Sequence, residues 1–176
     1  MRFELIESNV LFQGRAFTIR RDRLRTPRGE TRLDIVEHGG SVVLIPVDED
    51  GKVYFVRQYR HAAGLELLEL PAGVRQGDEP YEQCAARELR EETGMAAASL
   101  ERIGDFYLAP GYSTEFMAVF LATGLTPDPL PADEDEFLQV ERLSLAEALE
   151  MARTGQVPDA KSLAALFLAG PKLASR

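Results

Sequence analysis

The stretch GVRQGDEPYEQCAARELREETGM, residues 73–95, decides both the fold and the chemistry predicted for this chain. Its acidic end places Glu88, Glu91 and Glu92 within five residues. On a helix these side chains lie close together, and like charges four residues apart destabilise a helix. A folded protein therefore needs a reason to keep three carboxylates there.

The ends of this helix are marked in the sequence. Asp78 or Glu79 can cap it, Pro80 suits its first turn, and Gly94 is a common stop residue. We therefore expect a helix from about residue 79 to residue 93. Glu79 has a second interpretation, in which its carboxylate ties the preceding loop to the helix.

A helical wheel, at about 100° per residue, places Glu92 about 40° and Glu91 about −60° from Glu88. A charge run is usually a solvated face, but a solvated face lies opposite the apolar stripe. Here Glu88 and Glu92 share the direction of that stripe, where an unpaired carboxylate is costly. Oxygen-preferring cations such as Mg²⁺ are suitable partners. The apolar residues of the stripe are Tyr81, Cys84, Ala85 and Leu89.

The whole stretch resembles the Nudix box, a signature of spaced glycines, glutamates and one arginine. The resemblance implies a Nudix-type α/β/α sandwich with a mixed sheet, of the α+β class. It also implies hydrolysis of a nucleoside diphosphate linked to another group, with Mg²⁺ or Mn²⁺. All nine signature positions match: Gly73, Glu79, Arg87, Glu88, Leu89, Glu91, Glu92, Gly94 and Met95.

The resemblance also implies roles inside the box. Glu88 and Glu92 would be the principal metal ligands, Glu91 would share a second ion and take part in catalysis, and the Ala72 carbonyl would add an oxygen ligand. Two or more Mg²⁺ or Mn²⁺ ions are expected with substrate bound. Arg87 is expected to orient the glutamates. Such ions offset the charge of a pyrophosphate and lower the pKa of a bound water.

Three segments outside the box are similar to ADP-ribose pyrophosphatases: LAPGYSTE at 108–115, VRQYR at 56–60 with LELPAG at 68–73, and GQVPDAKSLAAL at 155–166. This similarity implies hydrolysis of ADP-ribose to AMP and ribose 5-phosphate. Another nucleoside diphosphate sugar or a dinucleotide is the alternative substrate. A catalytically silent nucleotide-binding regulator with this fold is the alternative of another class, although such modules commonly lose box glutamates and none is missing here.

Four residues outside the box are candidates for substrate binding. Arg60 is the strongest, because a guanidinium matches phosphate with two hydrogen bonds, and Arg57 is weaker. The alternative for both is an ordinary ion pair at a strand edge. Gly111 belongs to the Pro-Gly loop, and Glu115, which follows it, would approach metal or the terminal ribose.

The acidic segment ADEDEF, residues 132–137, matches a loop that supplies the general base in the resembling subfamily. Glu134 is favoured as the base, with Glu136 assisting, because a carboxylate near the attacking water can accept its proton. The alternative is a solvated loop. His38 and His61 have no partner spacing typical of a metal site, so structural roles are favoured for both.

Strand patterns fill the first third of the chain and helical patterns its end. GSVVLIPVDEDGKVYFVRQYR, residues 40–60, reads as a hairpin of buried strands. We expect an N-terminal β arm at 1–39 and a Nudix hydrolase domain at 40–176. The resemblance implies a homodimer through the arm, and the arm's balance of eight arginines against six acids suits an acidic partner surface.

Composition excludes several classes of protein. A net charge of −9 disfavours binding to a nucleic-acid backbone. One cysteine permits no internal disulfide, as in a reducing compartment, and the N-terminus has no apolar core of a signal peptide. No apolar run reaches the roughly 20 residues of a membrane span. We therefore expect a cytoplasmic protein with no nucleic-acid or membrane partner.

Overall fold

A computed structural model describes residues 2–131 and 137–173 of the chain. The chain divides into two compact units, one made of the residues up to Gly40 with Phe106–Phe116, and the other of Ser41–Asp105 with the residues from Met117 onward. Each unit is built around its own sheet.

The first unit contains a three-stranded antiparallel sheet in the order β1-β2-β3. Its strands contain few buried apolar residues. Ion pairs cross the sheet, for example between Arg21 and Asp34 at 2.6 Å. The strands are β1 (Glu4–Gln13), β2 (Thr18–Thr26) and β3 (Gly29–Glu37).

The second unit is built on a seven-stranded mixed sheet in the order β10-β5-β4-β9-β8, with β6 beside β5 and β7 beside β4. β4 and β9 are parallel, whereas β4 pairs with β7, and β5 with β6 and β10, in antiparallel fashion. The strands are β4 (Ser41–Val47), β5 (Lys52–Arg60), β6 (Leu65–Glu69), β7 (Ala72–Val74), β8 (Met95–Tyr107), β9 (Phe116–Pro127) and β10 (Leu138–Ser144).

Helices cover this sheet. They are α1 (Tyr81–Thr93), α2 (Leu145–Arg153) and α3 (Ala160–Leu173), and both α1 and α3 contact β4. Every residue of β4 is buried, as expected for a strand covered on both faces. Val42 and Leu44 pack against Leu89 of α1 in one core cluster. The predicted α/β/α sandwich with a mixed sheet is confirmed.

Two local predictions need correction. The N-cap of α1 is Pro80, and no side chain caps the helix, so the expected cap by Asp78 or Glu79 is wrong. Glu79 instead accepts hydrogen bonds from the Gln76 N–H and the Arg87 guanidinium, as its second interpretation required. The expected hairpin of buried strands at 40–60 is present but short, since β4 and β5 pair in antiparallel fashion at Val47 and Val53. β7 pairs with Ser41, Val42 and Val43 of β4, and β9 pairs in parallel along the whole of β4.

Among the described residues, no helix combines the length and apolarity needed to cross a membrane.

Candidate active site

The site is built on the last two turns of α1. Gly94 ends the helix in the left-handed conformation, with φ of 72°, and its N–H bonds the Arg90 carbonyl. Glu88 and Glu92 are buried, with 8% and 5% of their surface exposed, beside Cys84, Ala85 and Leu89. The inward direction predicted by the helical wheel is therefore confirmed.

Arg87 offsets the crowding of the carboxylates. Its Nη1 donates to Glu88 Oε1 and to Glu91 Oε2, both at 2.7 Å. Its Nε and Nη2 donate to the two oxygens of Glu79, at 3.0 and 2.9 Å. These bonds hold the pKa of the Glu79 carboxyl below its usual range and raise the pKa of Arg87 further. One guanidinium thus joins three glutamates of the box.

The absence of a side chain at Gly73 of β7 leaves space for the Glu88 carboxylate. A Cβ atom at position 73 would lie 1.9 Å from Glu88 Cδ and 2.0 Å from its Oε1. Real Cβ atoms essentially never approach that closely, so any side chain at this position would displace the carboxylate. The box glycine is therefore explained by close approach.

The segment before the box is fixed by hydrogen bonds from separate parts of the unit. The Ala72 N–H donates to Glu92 Oε2 at 2.9 Å. The Pro71 carbonyl accepts from the Leu44 N–H at 2.8 Å. The Leu70 N–H donates to Ser162 Oγ at 2.7 Å. Ala72, whose carbonyl is a predicted metal ligand, is thus held beside Glu92.

The donor set fits a hard divalent cation. Glu88 and Glu92 are carboxylates at i and i+4 that Gly73 and Ala72 hold within the protein body, and oxygen ligands suit such cations. Within residues 2–131 and 137–173, no set of three His, Cys, Asp or Glu side chains is already arranged around one point. One oxygen of Glu88 and one of Glu91 accept hydrogen bonds from Arg87 instead.

Cys84 contributes no nucleophile to the site. Burial, followed by the nearby charges of Glu88 and Glu79, raises the pKa of its thiol to about 12. The thiol is therefore protonated at neutral pH, and thiolate chemistry needs the deprotonated form.

The two arginines predicted to bind phosphate are both paired with carboxylates. Arg57 donates from Nε to Glu141 at 2.6 Å. Arg60 makes two hydrogen bonds, at 2.8 and 2.7 Å, to Glu69. The ion-pair alternative thus describes both residues as they stand, and their contact with substrate stays a prediction.

The remaining predicted residues are not part of the described second unit. Gly111 and Glu115 belong to the first unit, where the Thr114 N–H donates to the Val36 carbonyl at 3.0 Å. His38 Nδ1 lies 4.0 Å from Glu115 Oε1 in that unit. Glu134 and Glu136, the predicted bases, lie outside the described residues.

Sequence reasoning missed a polar cluster between β6 and α3. Glu69 is 1% exposed and contacts both Arg60 and Lys161. Asp159 caps α3 by accepting from the Ser162 N–H at 3.1 Å and from its hydroxyl at 2.6 Å. The Pro-Asp before an apolar helix signals the cap, but the pairing of residues 92 positions apart leaves no signal in one sequence.

A sequence model of the NUDIX domain family matches residues 37–166. The chain belongs to the NUDIX domain family. This Nudix protein is similar to an ADP-ribose pyrophosphatase of Mycobacterium tuberculosis, with 38% identity over 169 residues that cover 94% of this chain and 82% of that protein. An ADP-ribose pyrophosphatase of Bacillus subtilis is 36% identical over 165 residues, covering 92% and 89% of the two chains.

This Nudix protein is also similar to a relative with a different name and to a solved structure. A methanol dehydrogenase activator of Bacillus methanolicus is 33% identical over 164 residues, covering 92% of this chain and 89% of that protein. A crystal structure of an ADP compounds hydrolase superposes with a TM-score of 0.88 at 24% identity, covering 99% of this chain and 96% of that chain, which supports the fold. The resemblance to Nudix hydrolases of the ADP-ribose pyrophosphatase type is confirmed.

Proposed function

We propose that this Nudix hydrolase cleaves the pyrophosphate bond of ADP-ribose to AMP and ribose 5-phosphate, using Mg²⁺ or Mn²⁺. The observation that carries the proposal is the pair Glu88 and Glu92, buried on one side of α1 against Gly73 and Ala72. Burial of two like charges is costly for folding alone, so their position favours a cationic ligand. The names of two relatives favour ADP-ribose as the substrate.

The box residues would hold the metal. Glu88, Glu92 and the Ala72 carbonyl are the ligands we propose, with Glu91 on a second ion. Such ions neutralise pyrophosphate charge and lower the pKa of a bound water. Arg87 sets the direction of Glu88 and Glu91 through its two 2.7 Å bonds.

Water attack on phosphorus also needs a base to accept the proton of the water. We assign this role to Glu134, with Glu136 assisting, by their place in the acidic loop of the sequence. Glu91 is the candidate within the box. A carboxylate in hydrogen-bond reach of the attacking water can accept its proton.

Four residues outside the box are proposed to bind the substrate. Arg60 would bind a phosphate through its planar guanidinium, and Arg57 is the second candidate. From the sequence resemblance alone, Gly111 is proposed for substrate binding and Glu115 for contact with metal or the terminal ribose. Arg60 is 41% exposed in its side chain, so solvent and ligand can reach it.

A panel of substrates tests the proposal. Purified protein with Mg²⁺ is given ADP-ribose, GDP-mannose, NADH, a dinucleoside polyphosphate and an oxidised nucleotide, and kcat/KM is compared. We expect ADP-ribose to be preferred by at least tenfold, with AMP and ribose 5-phosphate as products. A smaller preference, or preference for another compound, would refute the substrate assignment.

A catalytically silent regulator is the competing class, and one relative is named as an activator of another enzyme. All nine box positions are intact in this chain, which favours catalysis. A silent regulator would bind ADP-ribose without producing AMP, so the same panel distinguishes the two classes.

We also propose that the chain forms a cytoplasmic homodimer through the N-terminal arm, residues 1–39. Val10 and Phe12 of β1 are 64% and 55% exposed, and Phe3 is 57% exposed. Exposed apolar side chains gathered along one strand favour an interaction site there. The arm's charge gives less support than expected, because four of its arginines pair with acids of the same sheet: Arg20, Arg21, Arg23 and Arg25.

Molecular mass in solution tests the dimer. Sedimentation of the wild type should give twice the chain mass of 19.5 kDa, and Phe12→Glu should give a monomer because a charge would be buried at the interface. A monomeric wild type would refute the proposed dimer.

A further inference from the structure

Glu69 carries two cations of different character. At the end of β6, its carboxylate is 1% exposed and accepts two hydrogen bonds from Arg60, at 2.8 and 2.7 Å. The ammonium group of Lys161, on α3, contacts Glu69 Oε2 as well. The Lys161 side chain is 10% exposed, whereas that of Arg60 is 41% exposed.

Lys161 is fixed where it stands. Its Nζ also bonds Asp159 Oδ2 at 3.0 Å, and the same carboxylate oxygen caps the first turn of α3 through Ser162. The Ser162 hydroxyl in turn accepts from the Leu70 N–H at 2.7 Å, directly after Glu69. Lys161 is therefore the resident cation of the cluster.

Arg60 is the exchangeable cation. It ends β5 in a partly exposed position, and the charges of Glu69, Glu92 and Asp159 all act on it. Its hydrogen bonds to Glu69 are the main cause of its raised pKa. A divalent cation on Glu92 would offset the attraction between Glu92 and Arg60, so the guanidinium would be bound less strongly in its present position.

We propose that Lys161 is a positioning residue that neutralises Glu69 when Arg60 leaves this carboxylate to bind a phosphate of the substrate. A buried carboxylate that loses its partner is strongly destabilising. If Arg60 were the single cation on Glu69, it could not leave this carboxylate without a large loss of stability. With Lys161 in place, Glu69 is paired with a cation both when Arg60 binds it and when Arg60 binds the phosphate. The inference rests on the proposed function, because it takes Arg60 as the phosphate contact.

The test removes the resident cation. Lys161→Met should raise the Kd of α,β-methylene ADP-ribose at least tenfold in calorimetry with Mg²⁺, and KM for the best substrate of the panel by a similar factor. kcat should change less than threefold, because the box residues are untouched. Lys161→Arg should bind within threefold of the wild type, since the charge is kept.

The double variant separates this role from a merely structural one. In Glu69→Gln a neutral amide replaces the carboxylate and needs no counter-ion, so adding Lys161→Met to this variant should change Kd less than twofold. Lys172→Met is the matched control, because Lys172 lies on the same helix but pairs with Glu101 at the surface; its Kd should equal that of the wild type.

Three results would overturn the inference: unchanged Kd and KM in Lys161→Met, an equal loss in the Glu69→Gln background, or failure of Lys161→Arg to restore binding. A wild type that does not bind the ADP-ribose analogue refutes the proposed substrate instead. In that case KM for the best substrate of the panel still decides the role of Lys161, so the two failures are distinguishable.

Discussion

Replacing Gly73 with alanine perturbs the site by a single methyl group. Gly73 has no positive φ, so the backbone accepts alanine and only the contact with Glu88 opposes it. The new Cβ would lie 1.9 Å from Glu88 Cδ and 2.0 and 2.2 Å from its two oxygens. The carboxylate must therefore move.

The size of the effect follows from this distance. An ordinary carbon–carbon contact is about 3.5 Å, so the carboxylate must retreat by about 1.5 Å. A misplacement of about 1 Å in a catalytic group can reduce the rate about 100-fold. We therefore expect kcat/KM to fall at least ~100-fold, equivalent to about 2.7 kcal/mol of transition-state stabilisation. Overpacking would also lower the free energy of unfolding by about 1–3 kcal/mol.

The assay measures AMP release with Mg²⁺, and a urea titration measures stability. Gly170→Ala is the control, because a Cβ there meets nothing within 4 Å; its kcat/KM should stay within twofold of the wild type. If Gly73→Ala retained wild-type kcat/KM while folded, the position of Glu88 would be irrelevant to catalysis and the proposed metal site would be wrong.

Two further predictions concern the charges around the box. Arg87→Met leaves Glu79, Glu88 and Glu91 without their shared guanidinium. Without metal the Tm of this variant should therefore fall, and added Mg²⁺ should raise the Tm more in the variant than in the wild type. Equal increases in Tm would refute the role of Arg87 as an internal counter-ion. Acid should destabilise the protein through Glu69: burial alone would raise the pKa of this carboxyl, but the hydrogen bond from Arg60 and the charge of Lys161 outweigh it and hold the pKa low. A lowered pKa stabilises the fold above the unfolded value of about 4.3, and that stability is lost as the pH falls below it through the folded pKa. Urea titrations from pH 7 to pH 3 should therefore show a smaller decline in Glu69→Gln than in the wild type, and identical declines would contradict the argument.

Local periodicity predicted the central helix well. The wheel placed Glu88 and Glu92 on the apolar side of α1, and both are buried. The spacing rule works because residues four apart share one helix face, whatever the rest of the chain does. Gly94 is likewise a local stop, since its φ of 72° suits glycine.

Contacts between distant residues were beyond a single sequence. Glu79 had two interpretations, a helix cap or a tie between loop and helix, and the sequence did not show that Arg87, eight residues later, binds its carboxylate. An ion pair was the alternative for Arg60, but the sequence did not identify Glu69 as its partner, or Lys161, 92 residues after Glu69, as a second cation on that carboxylate. Such pairings depend on how β5, β6 and α3 meet, which the periodicity of each element does not specify.

The central claim is that the carboxylates of α1 bind the divalent cation required for hydrolysis. Mn²⁺ titration by electron paramagnetic resonance, with AMP release measured on the same samples, compares the wild type with Glu92→Gln. We expect Glu92→Gln to weaken Mn²⁺ binding and to lose most of its turnover, with little loss of folding because a like-charge contact is relieved. Wild-type Mn²⁺ affinity and turnover in Glu92→Gln would contradict the claim.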